Sequence, residues 1–263
     1  MMHRPLVRGA SSPGECLAAL ADAVVRRGLF SSVKSLRFWM ESFFGTVPLK
    51  GRRILDIGGG FGLLSLYAVC CGAREAICIE PESAGVQTSD SEKTFTTLCE
   101  ELGIQNARFV PETFQEYCRA FPDSFDVVCS CNSINHLDEA ACISLLTNPA
   151  SRAVYDDVFR QISKLTVPGS QVIIVDCSPH NVFARIGIRN PFAPTIEWHK
   201  HQAPETWAAL LGEAGFAKPH ISWLTFNGLG RTGRMILGHK NIAYMLRSHF
   251  RLEMHRTSSH PFN

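Results

Sequence analysis

The chain has 263 residues, 45% of them hydrophobic and 19% charged. Those proportions describe one globular domain with a sizeable core and room for an appendage, and they exclude a chain that is disordered throughout. Twenty-six Lys and Arg against 24 Asp and Glu give a formal charge of +2. The basic residues fall in scattered pairs such as Arg26-Arg27 and Arg52-Arg53, so a nucleic-acid surface is not expected as a partner. The ten cysteines show no CxxC pair and no regular spacing, which reads as reduced thiols in a cytoplasmic compartment. The apolar stretch Leu17 to Val25 contains Asp22 and follows Glu15, so neither a secretory leader nor a membrane span is expected there.

In chain order, Ser12-Pro13-Gly14-Glu15 offers an N-cap serine, a proline at the first helical position and a capping-box glutamate, predicting a helix over about 13–27 that stops at Gly28. A second helix, roughly 32–44, carries Leu36, Trp39, Met40, Phe43 and Phe44. It holds more aromatic surface than a solvated helix needs, so residues 1–45 are expected to form a helical extension or lid on a domain spanning 46–263. Short apolar runs follow at 54–57, 76–80, 108–110, 125–129 and 172–176, separated by helical patterns at 62–71, 91–102 and 151–165. Runs without polar alternation suit strands buried on both faces, and the alternation is that of an α/β doubly wound sheet. The rhythm breaks over 177–202, which contains Pro179, Pro191 and Pro194; connections this long in a compact domain usually serve function. A helix from Pro204 to Gly215, a strand around 221–226, a Gly-rich insertion at 227–241 and a strand around 244–254 are predicted to complete the domain.

The most informative stretch is Ile54-Leu55-Asp56-Ile57-Gly58-Gly59-Gly60-Phe61-Gly62, a strand that turns through glycines into a helix. Such a turn lets a ligand approach the backbone over the helix N-terminus. Glu80 ends the next strand, where a carboxylate can accept two hydrogen bonds from ribose hydroxyls. The pair indicates an adenosine-containing ligand. A dinucleotide fingerprint needs Gly or Ala at its sixth place, and Leu63 or Ser65 stands there, depending on the starting glycine; NAD is disfavoured. Asp56 would repel a pyrophosphate and suits a ligand bearing an ammonium group.

This segment, with Glu80, resembles the first two motifs of the class I S-adenosylmethionine-dependent methyltransferases. Phe125-Asp126-Val127-Val128 is similar to the family's fourth strand, Pro168-Gly169 to its turn into the fifth, and Glu213-Ala214-Gly215-Phe216 to its turn into the sixth. The likeness runs over roughly 50–255. It implies a Rossmann-like methyltransferase sandwich, with a mostly parallel seven-stranded sheet and an antiparallel C-terminal strand, and S-adenosylmethionine as cofactor. It also implies that Asp56, Gly58 and Gly60, with Gly59 and Gly62 in the same loop, cradle the methionine moiety and that Glu80 holds the ribose. By the same likeness Glu112, Thr113 and Phe114 lie near the adenine, and Asn132 and Ser133 line the ligand near its sulfonium.

Methyl transfer is an in-line displacement, so the protein mainly positions the reactants, and a base helps only where the nucleophile holds its proton. His136, after the fourth strand, is the best-placed candidate, followed by His199 and His201 in the long connection, which Asp176 and His180 also attend. Asp176, His199 and His201 have no ligand spacing beyond chance, so no metal is expected. Asn132-Ser133-Ile134-Asn135 departs from the Asn/Asp-Pro-Pro-Tyr of amino-methyltransferases that act on DNA bases or protein glutamine. The expected partner is a small methyl acceptor, without nucleic acid or membrane, and a homodimer is allowed for. Phe38, Trp39, Phe43, Phe183, Phe192 and Trp198 could wall an aromatic or lipophilic acceptor, methylated on O or N. The alternatives are a protein side-chain methyltransferase and a catalytically silent S-adenosylmethionine-binding scaffold subunit.

Overall fold

The computed structural model describes residues 12–81, 88–120 and 124–258. The first helix, α1 (Pro13–Arg26), begins as its sequence dictates. The Ser12 hydroxyl accepts from the Glu15 amide while the Glu15 carboxylate accepts from the Ser12 amide, and Pro13 sits where a missing N–H leaves no bond unmade. Helix α2 (Val33–Phe44) is capped by the Ser32 hydroxyl and ends at Gly45. The alternating segment follows as β1 (Arg53–Ile57), α3 (Leu63–Cys70), β2 (Glu75–Ile79), α4 (Thr88–Leu102), β3 (Ala107–Val110), α5 (Phe114–Ala120), β4 (Phe125–Cys131), α6 (Glu139–Ser144), α7 (Pro149–Lys164) and β5 (Thr166–Cys177). The chain continues through α8 (Val182–Arg185), α9 (Pro204–Glu213), β6 (Phe216–Trp223), α10 (Gly230–Leu237), α11 (Lys240–Met245) and β7 (His249–Arg256).

The seven strands form one sheet in the order β3-β2-β1-β4-β5-β7-β6, parallel from β3 to β5, with β7 antiparallel to both of its neighbours. This is the expected Rossmann-like arrangement. The period of two in the strands sends side chains to two separate cores. Leu55, Ile57, Val128, Val172 and Ile174 pack with α5, α7 and α9, around Tyr155, Phe159 and Trp207. Ile54, Cys78, Val127, Ile173 and Val175 pack with α1, α2, α3 and α4. The N-terminal helices are therefore built into one helical layer. Arg251 of β7, almost wholly buried, ties α2 down by donating to the carbonyls of Phe43 and Phe44, two of the acceptors that a helix C-terminus leaves open.

Four expectations need correction. Strand β5 starts before the Pro168-Gly169 turn, because residues 167–170 bulge out of the ladder between the Phe125↔Thr166 and Val127↔Gln171 pairs. There the Ser170 hydroxyl accepts from the Val167 amide and donates to the Phe125 carbonyl, so the proline leaves no ladder bond unmade. Strand β6 starts at Phe216 rather than near 221, immediately after Gly215 (φ 90°) ends the preceding helix. The 227–241 insertion is largely helical, as α10. Its Arg231, Arg234, Met235 and Leu237 are good helix formers that outweigh Gly233, and the last strand accordingly begins at His249, behind α11. Finally, packing α1 on α3 brings Cys16 to Cys70, with Cα atoms 5.3 Å apart, and the two form a disulfide; the thiols are not all reduced. Among the described residues no helix is long and apolar enough to cross a membrane.

Candidate active site

The C-terminal ends of β1, β2 and β4 open onto a cavity of about 580 Å³, within the range of small-molecule sites. Gly58, Gly60, Glu80, Thr113, Phe114, Asn132 and Ser133, all candidate cofactor contacts in the sequence, line it. Gln115, Leu137, Pro81 and His136 complete the wall; nothing in the sequence beyond their positions after strand ends singles out the first three. Glu80 holds the glycine turn by accepting from the Gly60 amide at 2.8 Å. Ser133 donates its hydroxyl to the Ile57 carbonyl at 2.7 Å and lies so close to Gly58 that a Cβ there would come within 2.3 Å of its own. Gly58 and Gly60 thus leave a bare backbone facing the cavity.

The other loop residues lie behind the wall. A Cβ on Gly62 would come within 2.3 Å of Phe95, and one on Gly59 within 2.7 Å of Asp56, so these two glycines let the loop settle on the helix and strand beneath it. Asp56 is completely buried under the loop, with the Ser65 hydroxyl donating to its Oδ2 at 3.1 Å, while its Oδ1 has no partner. Burial outweighs the Ser65 hydrogen bonds and pushes its carboxyl up to about 7. Glu112 is not on the cavity wall; its Oε2 is buried without a partner.

Asn132, which adopts a left-handed backbone (φ 54°), is the junction of the site. It borders the first cavity, a second chamber of about 380 Å³ and a recess of about 80 Å³. The chamber lies at the C-terminal end of β5, under the 177–202 connection. His201 from that connection donates Nδ1–H to Oδ1 of Asp176 at 2.9 Å. Asp176 is fully buried, and the pair leaves the His201 Nε2 with a free lone pair. His136 also reaches the chamber, more exposed, its Nδ1 3.2 Å from Glu139 Oε2. His199 lies outside the chamber, exposed next to Trp198 beneath the outer loop. His180 packs on Tyr244.

Two chamber residues escaped the sequence reading, His249 and Arg247. The β5–β7 register puts His249 directly beside Cys177, so a last strand placed at 249 rather than 244 would have revealed them. The half-buried His249 ring donates Nδ1–H to the Arg247 carbonyl at 2.9 Å. Burial first and the adjacent Arg247 charge second push its pKa down to about 4, leaving it neutral. Of the aromatic set, Trp39 lines the recess and Phe192 the chamber, with Phe183 on its far side; Phe43 belongs to the core.

A mostly parallel sheet in this strand order, with a glycine turn and an acidic strand end facing one cavity, defines the class I S-adenosylmethionine-dependent methyltransferase architecture. A methyltransferase-domain family model matches residues 20–221, and the chain belongs to that family. The bare backbone at Gly58 and Gly60, the Glu80 carboxylate and the cavity volume fit S-adenosylmethionine, the cofactor of the class. A ubiquinone biosynthesis O-methyltransferase from Azorhizobium caulinodans is 28% identical over 184 residues, covering 69% of this chain and 65% of its own length. Its mitochondrial namesake from Dictyostelium discoideum is 25% identical over 130 residues, covering 49% of this chain and 36% of its own. The chain thus spans less than two thirds of either relative. Among solved structures, the pyocyanin biosynthetic protein PhzM shares the fold at 17% identity and a TM-score of 0.53, over 94% of this chain and 62% of its own. An S-adenosylmethionine-dependent methyltransferase from Mesorhizobium loti does so at 15% and 0.53, over 83% and 96%.

Proposed function

We propose that this protein methylates a hydroxyl of a small aromatic or lipophilic acceptor, with S-adenosylmethionine as donor and His201 as general base. The observation that carries this reading is the Asp176–His201 pair, set in a chamber that meets the cofactor cavity at Asn132. The cofactor supplies an electrophilic methyl group on a sulfonium that departs as a neutral thioether. Asp176 fixes the His201 tautomer, and Nε2 takes the acceptor's hydroxyl proton as its oxygen bonds to the methyl carbon. A neutral amine would need no such base, so the pair favours O over N as the acceptor atom. A binding-only scaffold would have no use for it. Glu80, Gly58 and Gly60 hold the cofactor, Thr113 and Phe114 flank its adenine, and Asn132 sits between the two reactants. The names of the two ubiquinone-pathway relatives support a hydroxyl acceptor of this kind. Eight free cysteines support a cytoplasmic setting.

The test is turnover with labelled S-adenosylmethionine across a panel of phenols and catechols. His201→Asn is expected to lower kcat by about 10²–10⁴-fold while S-adenosylhomocysteine binding, read by calorimetry, stays unchanged. Full activity in that variant would sink the assignment of the base, and transfer to amines alone would sink the choice of acceptor atom.

A further inference from the structure

The chamber contains an unmatched cation. Among the carboxylates around it, Asp176 behind the wall holds His201 through Oδ1 while its buried Oδ2 has no partner, and Glu197 shares Lys200 with Glu139. Arg247 makes no ion pair among the described residues. Its guanidinium lies 5.6 Å over the Phe226 ring, and its Nε is buried without a hydrogen-bond partner. Burying part of an unpaired guanidinium is costly, and proteins retain such groups where a ligand completes them. A second orphan stands beside it, because the buried Thr225 Oγ1 also lacks a partner. Both residues line the recess that Asn132, Trp39 and His249 share, and Arg247 faces the chamber of His201 as well. The two groups on which the guanidinium's charge acts, His249 and the buried Cys177 thiol, bring no negative charge to it, since its own field disfavours a protonated His249 and burial holds the thiol un-ionised.

We propose that Arg247, assisted by Thr225, binds a carboxylate of the methyl acceptor, so that the acceptor is an aromatic hydroxy acid. This rests on the reading of the chamber as the acceptor site. The planar guanidinium fork matches a carboxylate, and its seat over the Phe226 ring keeps that fork in place. The recess, at about 80 Å³, admits the acid group while the ring extends toward Trp39 and the hydroxyl toward Asn132 and His201. Arg247 is then a specificity-determining residue that sorts acids from their neutral analogues and takes no part in proton transfer.

The experiment titrates the protein, saturated with S-adenosylhomocysteine, with 3,4-dihydroxybenzoate and 1-hydroxy-2-naphthoate and with the amide of each. At least one acid is expected to bind about tenfold or more tightly than its own amide. Arg247→Met keeps the apolar stem and should bring acid and amide within about twofold of each other, and Arg247→Lys should restore part of the preference. S-adenosylhomocysteine affinity should not change in either variant, which separates loss of the anion site from misfolding. His201→Asn should keep the acid preference while losing turnover, so failure of the base assignment would be distinguishable from failure of this one. Equal binding of acid and amide, binding of neither acid, or an acid preference that survives Arg247→Met would overturn the proposal.

Discussion

At the scale of single residues, Asp56 shows how a sequence signal and a structural position can differ. Its place two residues before the first glycine suggests direct contact with a ligand's ammonium group, yet the carboxylate points beneath the loop to Ser65. With a folded-state pKa near 7 against about 4 in the unfolded chain, the folded protein binds the extra proton between those limits. The group's cost is absent below about pH 4, grows as pH rises through the window, and is complete above about 7, where it is of order 2–4 kcal/mol. Asp56→Asn can still accept from Ser65 and carries no charge. Its melting temperature should therefore match the wild type at about pH 4 and exceed it increasingly up to about pH 7, with no further gain above that, as followed by thermal denaturation across that range. Parallel curves for the two proteins would show that the ionised carboxylate is compensated in the fold. Gly58 and Gly60 line the cavity, where the sequence expects contact with a ligand. That Gly59 and Gly62 are instead forced by Cys78 and Phe95 packing was not legible, because one glycine loop serves both purposes and its sequence does not separate them.

At the scale of elements, local chemistry predicted most of what forms. The Ser12–Glu15 capping box, the glycines after α1, α3 and α4, and the apolar-rich runs of β1, β2 and β4 each correspond to an observed boundary or strand. The misplacements lie where the strands are not apolar runs. Strand β6 begins Phe216-Ala217-Lys218-Pro219-His220 and has exposed residues at its centre, as an edge strand does, and β7 alternates charged and apolar residues. The Cys16–Cys70 disulfide was equally invisible, since it depends on how α1 crosses α3 rather than on any spacing. It closes a loop of 54 residues and staples the N-terminal helix to the helix behind the glycine turn. Cys16→Ser, or reduction of the wild type, should lower stability by about 2–4 kcal/mol in denaturant titration. A midpoint unaffected by reductant would mean the bond contributes nothing to the folded protein in solution.

At the scale of the whole molecule, function is a consequence of where the sheet places its strand ends. The β1–β2–β4 side supplies the cavity proposed for the cofactor, and nearly all of that wall can be read from motifs that run continuously along the chain. The chamber proposed for the acceptor joins β4, β5, the 177–202 connection and the start of β7. Asp176, His201, Arg247 and Thr225 meet there only because β7 runs antiparallel beside β5, so no local pattern announces them. The His201 candidate was visible in sequence, but its pairing with Asp176 was a matter of topology. The most direct test of the account is calorimetric titration with S-adenosylhomocysteine, comparing the wild type with Glu80→Ala and using NAD as the control ligand. We expect micromolar binding to the wild type, at least about tenfold weaker binding when the ribose carboxylate is removed, and none with NAD. Binding of NAD, or no binding of S-adenosylhomocysteine by a protein with a normal melting transition, would contradict the assignment of the glycine-turn cavity as a methyl-donor site.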